Sequence, residues 1–341
     1  MRPIKVLVVD DSMVFRNMLV QGLNKDPNIE VVAEAEDPFQ ARDAILKYKP
    51  DVMTLDIEMP KMSGIEFLKK LMPQYPIPVV MLSSLSDKVF DALDAGAVDF
   101  VNKPDSMDRA KLNAFFSREL ATKIKIASTA KVGKMKRAAA GSVLTNLNVG
   151  KDRIVAIGAS TGGTEAIYEV VKNFKRDIPG VVIVQHMPPG FTKMYAERLN
   201  NQCEVAVKEA KTGDKVMQGQ VLIAPGDRHM RLVKVGRDYQ VECSGTDRVN
   251  GHCPSVDVLF YSVAKVAGKN AVGVILTGMG GDGAKGLLEM RNAGALTVGQ
   301  DEASCIVYGM PKVAYDIGAV QHQVPLTAVA GKVYSLLANR K

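Results

Sequence analysis

Val6-Leu7-Val8-Val9-Asp10-Asp11-Ser12 is an apolar run that stops on two carboxylates and a hydroxyl. The same punctuation returns downstream. Residues 52–55 run into Asp56, residues 79–82 run into Ser83, and residues 100–101 are followed by Lys103. Residues 31–33 supply one more apolar run. Between these runs, residues 14–23, 39–47, 65–72 and 88–95 carry helical periodicity. Short apolar runs alternating with helices predict a five-stranded parallel sheet covered on both faces. Ligand chemistry in such a sheet sits at the carboxyl ends of the strands.

The polar residues named above fall at that edge. Carboxylates packed together repel one another unless a hard cation neutralises them. Mg²⁺ fits, because it prefers carboxylate, carbonyl and water oxygens. It would also neutralise an incoming phosphoryl group. Lys103 adds a compact positive charge, and Ser83 adds a hydrogen-bond donor. Helix capping is the competing explanation, since Asp and Ser commonly follow strands and start helices. It accounts for one of these positions more easily than for Asp10, Asp11, Asp56, Ser83 and Lys103 together.

A second alternation begins at residue 154. Apolar runs at 154–157, 181–184, 221–223, 272–276 and 295–298 are separated by helical stretches such as 165–173 and 256–267. This predicts a doubly wound, mostly parallel α/β domain. Residues 230–242 alternate in the manner of an antiparallel hairpin. Ser160 lies in Gly158-Ala159-Ser160-Thr161-Gly162, the G-x-S-x-G form that puts a serine on a tight strand-to-helix turn. Backbone N–H groups at a helix start are suited to hold an oxyanion. A serine cap with glycines for packing explains the same motif.

His186 directly follows Val181-Val182-Ile183-Val184-Gln185, which puts it on the sheet edge shared with Ser160. The chain has four histidines. His229 is the second choice of base, and His252 and His322 have no comparable placement. Asp282, in Thr277-Gly278-Met279-Gly280-Gly281-Asp282-Gly283, follows the run that ends at Leu276. A serine hydroxyl needs a base, and the base needs a carboxylate to fix its tautomer and stabilise its charged form. The chain order Ser, His, Asp differs from the Ser, Asp, His of α/β-hydrolases and argues against that fold. A rival reading uses Gly278, Gly280 and Gly283 as a dinucleotide fingerprint, with Asp301 and Glu302 at roughly the 20-residue spacing of a ribose ligand. It leaves Ser160 and His186 without roles.

With 341 residues, 47% of them hydrophobic and 24% charged, the chain suits two ordinary soluble domains. We expect a first domain at 1–124, a basic linker at 125–150 and a second domain at 151–341. Residues 1–121 carry 15 basic and 19 acidic side chains, residues 122–150 carry 6 basic and none acidic, and the rest carry 23 and 18. The basic tether favours an acidic partner and hints at a DNA-binding output, although nothing reads as a helix-turn-helix. The absence of Trp and an aromatic content of 6% disfavour stacking on bases or sugars. The segment before Asp10 is too short for a signal peptide, no run approaches a membrane span, and the cysteines show no CxxC pair. Reduced thiols in a cytoplasm are the expectation.

The first half resembles a response-regulator receiver domain. The resemblance rests on Val8-Val9-Asp10-Asp11-Ser12, Leu55-Asp56-Ile57-Glu58-Met59-Pro60, Ser63-Gly64, Ser83 and Lys103-Pro104. It implies a flavodoxin-like sheet, phosphoryl transfer to Asp56 from a chemotaxis histidine kinase, and Mg²⁺ held by Asp11, Asp56 and the backbone carbonyl of Glu58. It also puts Phe100 at an aromatic switch position and implies a cis Lys103-Pro104 bond. The second half resembles the catalytic domain of chemotaxis protein-glutamate methylesterases, the CheB type. The matching stretches are Ile157-Gly158-Ala159-Ser160-Thr161-Gly162-Gly163, Gln185-His186-Met187-Pro188-Pro189-Gly190-Phe191-Thr192, Ala224-Pro225-Gly226 with His229, Pro254-Ser255-Val256-Asp257, and Leu276 through Gly283. This resemblance implies demethylation of methylated glutamates on chemoreceptors, with release of methanol, and deamidation of receptor glutamines. Ser160 would be the nucleophile, His186 the base and Asp282 its orienting carboxylate, with backbone N–H groups near Thr161 and Met279 as oxyanion donors. No cofactor is expected for the esterase. The implied partners are the kinase and chemoreceptor cytoplasmic domains, without nucleic acid or membrane insertion.

Overall fold

A computed structural model of the chain describes residues 2–84, 88–104, 108–133 and 152–338. The chain divides into two compact units between residues 134 and 135. In the first, strands β1 (Ile4–Val9), β2 (Ile29–Ala35), β3 (Val52–Asp56), β4 (Val79–Ser83) and β5 (Asp99–Asn102) pair in the order β2-β1-β3-β4-β5. Every pairing is parallel. Strands β3 and β4 are buried along their whole length, as expected of central strands covered by helices on both faces. Helix caps are present, but on other residues than the acidic cluster. Ser12 caps helix Met13–Leu23, Asp37 caps Pro38–Tyr48 and Ser63 caps Gly64–Leu71.

The last helical segment of this unit runs Arg109–Ala114, a π-helical stretch Phe115–Leu120, and Ala121–Ala127. Leu120, Ile124 and Ala127 are all buried. Their i, i+4, i+7 spacing keeps one face on the core, so the helix passes the expected boundary at residue 124. From residue 134 on, the expected linker lies outside the described residues. The Lys103–Pro104 bond is not cis, contrary to expectation; among the described residues the cis peptide bond is Cys253–Pro254. For an X–Pro bond the trans form is intrinsically favoured.

The second unit holds a seven-stranded sheet in the order β14-β13-β12-β6-β7-β9-β8. The strands are β6 (Ile154–Ala159), β7 (Gly180–Gln185), β8 (Ala206–Glu209), β9 (Gln220–Ile223), β12 (Ala271–Ile275), β13 (Leu296–Gln300) and β14 (His322–Val324). All six pairings are parallel. A separate antiparallel hairpin, β10 (His229–Val235) and β11 (Asp238–Ser244), packs against helix Val256–Val266. From β6 the chain goes to β7 on one side and later returns through β12 on the other. That reversal opens a crevice beyond the carboxyl ends of β12, β6 and β7. The four cysteines are free thiols. Among the described residues no helix is long and apolar enough to cross a membrane.

Gly64 shows how tightly the first unit closes around β3. A Cβ built there would lie 2.0 Å from the backbone oxygen of Asp56, and a backbone atom cannot swing aside as a side chain can. Gly64→Ala is therefore expected to destabilise the first unit by about 1–3 kcal/mol. The check is an earlier first transition on urea unfolding of the full chain.

Candidate functional site

Two sets of polar residues meet at strand ends, one in each unit. In the first unit Asp10 and Asp56 are buried and Asp11 is exposed. Their ligand oxygens lie within 4.8 Å of one another. Lys103 Nζ donates to Asp10 Oδ2 at 2.9 Å and to Asp56 Oδ2 at 2.7 Å. The backbone N–H of Ser12 donates to Asp10 Oδ1, and that of Glu58 to Asp56 Oδ1. One ammonium thus faces three carboxylates, and the charge left over suits a divalent cation. Burial pushes the Asp56 carboxyl above its usual range; Lys103 opposes the rise and the charge of Asp10 adds to it. Burial pulls Lys103 down, but Asp56 and Asp10 hold its ammonium above the ordinary lysine value. Ser83 is buried and its hydroxyl donates to the Ser84 carbonyl at 2.6 Å. A cavity of about 130 Å³ beside Asp56 is lined by Glu58, Ser83, Lys88 and Lys103. At about 30 Å³ per water, that leaves room for a phosphoryl group. Phe100 is buried, under the Lys123 ammonium.

In the second unit the three expected residues come from three adjacent strands. Ser160 follows β6, His186 follows β7, and Asp282 lies in the loop after β12. The Ser160 N–H donates to the Thr277 carbonyl at 3.0 Å and the His186 N–H to the Ala159 carbonyl at 3.2 Å. The Gln185 side chain ties both turns together by donating to the carbonyls of Ser160 and His186. His186 Nε2 and Asp282 Oδ2 are 2.8 Å apart. With Nε2–H donating to the carboxylate, Nδ1 is the basic nitrogen of the neutral ring. That Nδ1 is buried and has no hydrogen-bond partner. The structure therefore assembles the imidazole–carboxylate pair, while Ser160 Oγ makes no hydrogen bond to His186. Such contacts are often long before substrate binds.

Asp282 is anchored more heavily than its sequence motif foretold. Its Oδ1 accepts from Asn250 Nδ2 and Ser255 Oγ, both at 2.8 Å, and from the Asp257 N–H at 3.3 Å. Its Oδ2 accepts from the Val256 N–H at 2.7 Å. The carboxylate thus rests on the N-terminus of helix Val256–Val266, where N–H groups and the helix dipole favour negative charge. Burial raises the Asp282 carboxyl, but hydrogen bonds from His186, Asn250 and Ser255 outweigh it and hold the group well below the usual carboxylate range.

Asn250 carried no sequence signal. Ser255 appeared in the sequence only within the Pro254–Asp257 stretch of the resemblance; its hydroxyl makes no helix cap and goes to Asp282. His252, set aside on placement, stacks on His186 with ring centroids 3.7 Å apart and planes 11° from parallel. His229, the second-choice base, is occupied: Nδ1 accepts from the Ser255 N–H and Nε2 meets the Asp247 carbonyl. Of the expected oxyanion donors, the Met279 N–H has no acceptor among the described residues; Thr161 is buried at the turn after Ser160. The dinucleotide reading loses its parts. Asp301 Oδ1 binds the Ser304 N–H and hydroxyl, and a Cβ at Gly278 would meet Ser160 Cβ at 2.7 Å and Met310 Sδ at 2.4 Å. Packing against the serine turn accounts for that glycine.

Known proteins share both halves. The CheB methylesterase family matches residues 155–333, and the response regulator receiver domain matches residues 6–114. A protein-glutamate methylesterase/protein-glutamine glutaminase of Syntrophomonas wolfei subsp. wolfei is 62% identical over 339 residues, covering 99% of this chain and 98% of its own. The protein of that name from Salmonella typhimurium is 48% identical over 343 residues, covering 99% of this chain and 98% of its own. The crystal structure of the Thermotoga maritima CheB methylesterase catalytic domain superposes with a TM-score of 0.53 at 37% identity, covering 54% of this chain and 98% of that one.

The depressed Asp282 carboxyl has a consequence for stability. Its contribution is complete above the ordinary value of 3.8 and is lost as pH falls below it. The urea midpoint of the second unit should therefore drop in acid. Asp282→Asn should flatten that dependence and cost about 3 kcal/mol at neutral pH. An unaltered acid limb in the variant would contradict the assignment.

Proposed function

We propose that this chain, which belongs to the CheB methylesterase family, is a phosphorylation-regulated hydrolase acting on chemoreceptor glutamate methyl esters and glutamines. The observation that carries the reading is a buried carboxylate on His186 Nε2 with an unpartnered Nδ1 on the strand beside Ser160. Ser160 Oγ attacks the side-chain carbonyl carbon, and its proton passes to His186 Nδ1. The N–H groups of Thr161 and Met279 receive the oxyanion. Collapse expels methoxide, or the amide nitrogen of a glutamine, which takes the proton from His186 and leaves as methanol or ammonia. Water, deprotonated by the same nitrogen, then cleaves the glutamyl ester and regenerates Ser160. Asp282 stabilises the imidazolium throughout. General base help gives roughly 10²–10⁴-fold, and one oxyanion donor about 3–4 kcal/mol. The esterase chemistry needs no cofactor.

In the first unit Asp56 takes a phosphoryl group from a histidine kinase, in the cytoplasm. The leftover negative charge supports Mg²⁺ held by Asp11, Asp56 and the Glu58 carbonyl. Bound there, it supplies neutralisation of phosphoryl charge. Lys103 and Ser83 contact the phosphoryl oxygens, and Asp10 holds Lys103.

The test is methanol release from methylated receptor membranes. Ser160→Ala should lose at least ~10³-fold in rate, and Asp56→Ala should lose stimulation by a small phosphodonor, as should EDTA-treated wild type. Full activity in Ser160→Ala would end the enzymatic reading.

A further inference from the structure

Asp282 fixes one nitrogen of His186, but a single hydrogen bond does not fix the plane of a ring that turns about its Cβ–Cγ bond. Nδ1, the other polar corner, is buried without a partner and supplies no second tether. What remains is the face. His252 lies against it with ring centroids 3.7 Å apart and planes 11° from parallel, so close that the His186 ring cannot tilt toward that side without a clash. The segment that delivers His252 is pinned on both sides by the same carboxylate. Asn250 donates to Asp282 Oδ1 two residues before it, and Ser255 donates to that oxygen three residues after. An antiparallel bridge between Val249 and His252 closes the turn. The carboxylate that orients the edge of His186 therefore also holds the loop that orients its face.

We propose that His252 is a positioning residue for the esterase reaction: its ring clamps the plane of His186 so that Nδ1 stays aimed at the Ser160 side. This deepens the hydrolase reading given above and rests on it. The role asks for a flat face and not for a proton, which separates it from a second base. It also asks nothing of substrate affinity, since the clamp acts on the proton transfer.

Full-length protein, activated with a small phosphodonor, supplies the test, again as methanol release. His252→Ala should lower kcat roughly 10-fold, equivalent to about 1.4 kcal/mol of transition-state stabilisation, with KM within about twofold of wild type. His252→Phe, which restores a flat ring, should recover most of that loss. A second readout is independent of turnover. The His186 Hε1 resonance, assigned in histidine-labelled protein, should carry a ring-current shift that persists in His252→Phe and collapses in His252→Ala. Wild-type kcat in His252→Ala, or equal loss in both variants with a raised KM, overturns the proposal. Ser160→Ala in the same assay keeps the two claims apart. If it is inactive while His252→Ala is normal, only the clamp fails; if it is active, the hydrolase reading itself fails.

Discussion

Asp282 must stay charged where water cannot reach it, and the crevice of the second unit is organised around that demand. An isolated carboxylate in an apolar interior costs more than folding can supply, so it either neutralises or gathers donors. Asp282 gathers five: His186 Nε2, Asn250 Nδ2, Ser255 Oγ and the N–H groups of Val256 and Asp257. These come from the end of β7, from the loop after the β10–β11 hairpin, and from the first turn of helix Val256–Val266. One carboxylate thus staples parts of the chain about a hundred residues apart. A neighbouring acid shows the alternative outcome. Burial pushes the Asp257 carboxyl up, and the charge of Asp282 adds to the rise, although Gly286 and Asn250 donate to it.

The first unit meets the same problem with too few donors. Asp10 and Asp56 share a single ammonium, and Asp11 stands beside them at the rim. That set is balanced only when something positive joins it, whereas the Asp282 set is complete as it stands. The difference in completeness matches the roles proposed for them. A site that must accept a cation and a phosphoryl group has to be left short of charge. A carboxylate whose task is to hold an imidazole in one tautomer works best when every other lone pair is engaged.

The strands were legible because buried parallel strands are nearly continuous apolar runs, and so were the residues that end them. Asp10, Asp56, Ser83, Ser160 and His186 each sit where an apolar run stops. What supports them was not legible for the opposite reason. Asn250 and His252 lie in an irregular loop with no periodicity, and only folding brings them to Asp282. Strands β8 and β14 escaped notice because four and three residues are too few to establish an alternation. The hairpin was visible, since Met230, Leu232, Tyr239 and Val241 alternate and are buried on one face. The last helix of the first unit runs three residues past Ile124, to Ala127, which is buried with Leu120 and Ile124; a single alanine carries little hydrophobic signal in the sequence.

Strand order also explains which nitrogen of His186 meets Asp282. The sheet runs β12-β6-β7, so the carboxylate and the imidazole arise on strands that flank the one carrying Ser160. Strands two places apart are separated by about 10 Å. A histidine that must span toward the far loop does so with its outermost nitrogen, and Nε2 is the one that meets Asp282. Nδ1, nearer the backbone, is left without a hydrogen bond, and Ser160 follows the middle strand, β6. For the triad proposed above, this strand order leaves Nδ1 as the nitrogen available to the serine hydroxyl. The chain order Ser, His, Asp follows from the same topology, because β6 and β7 are built before the sheet is extended on its other side by β12.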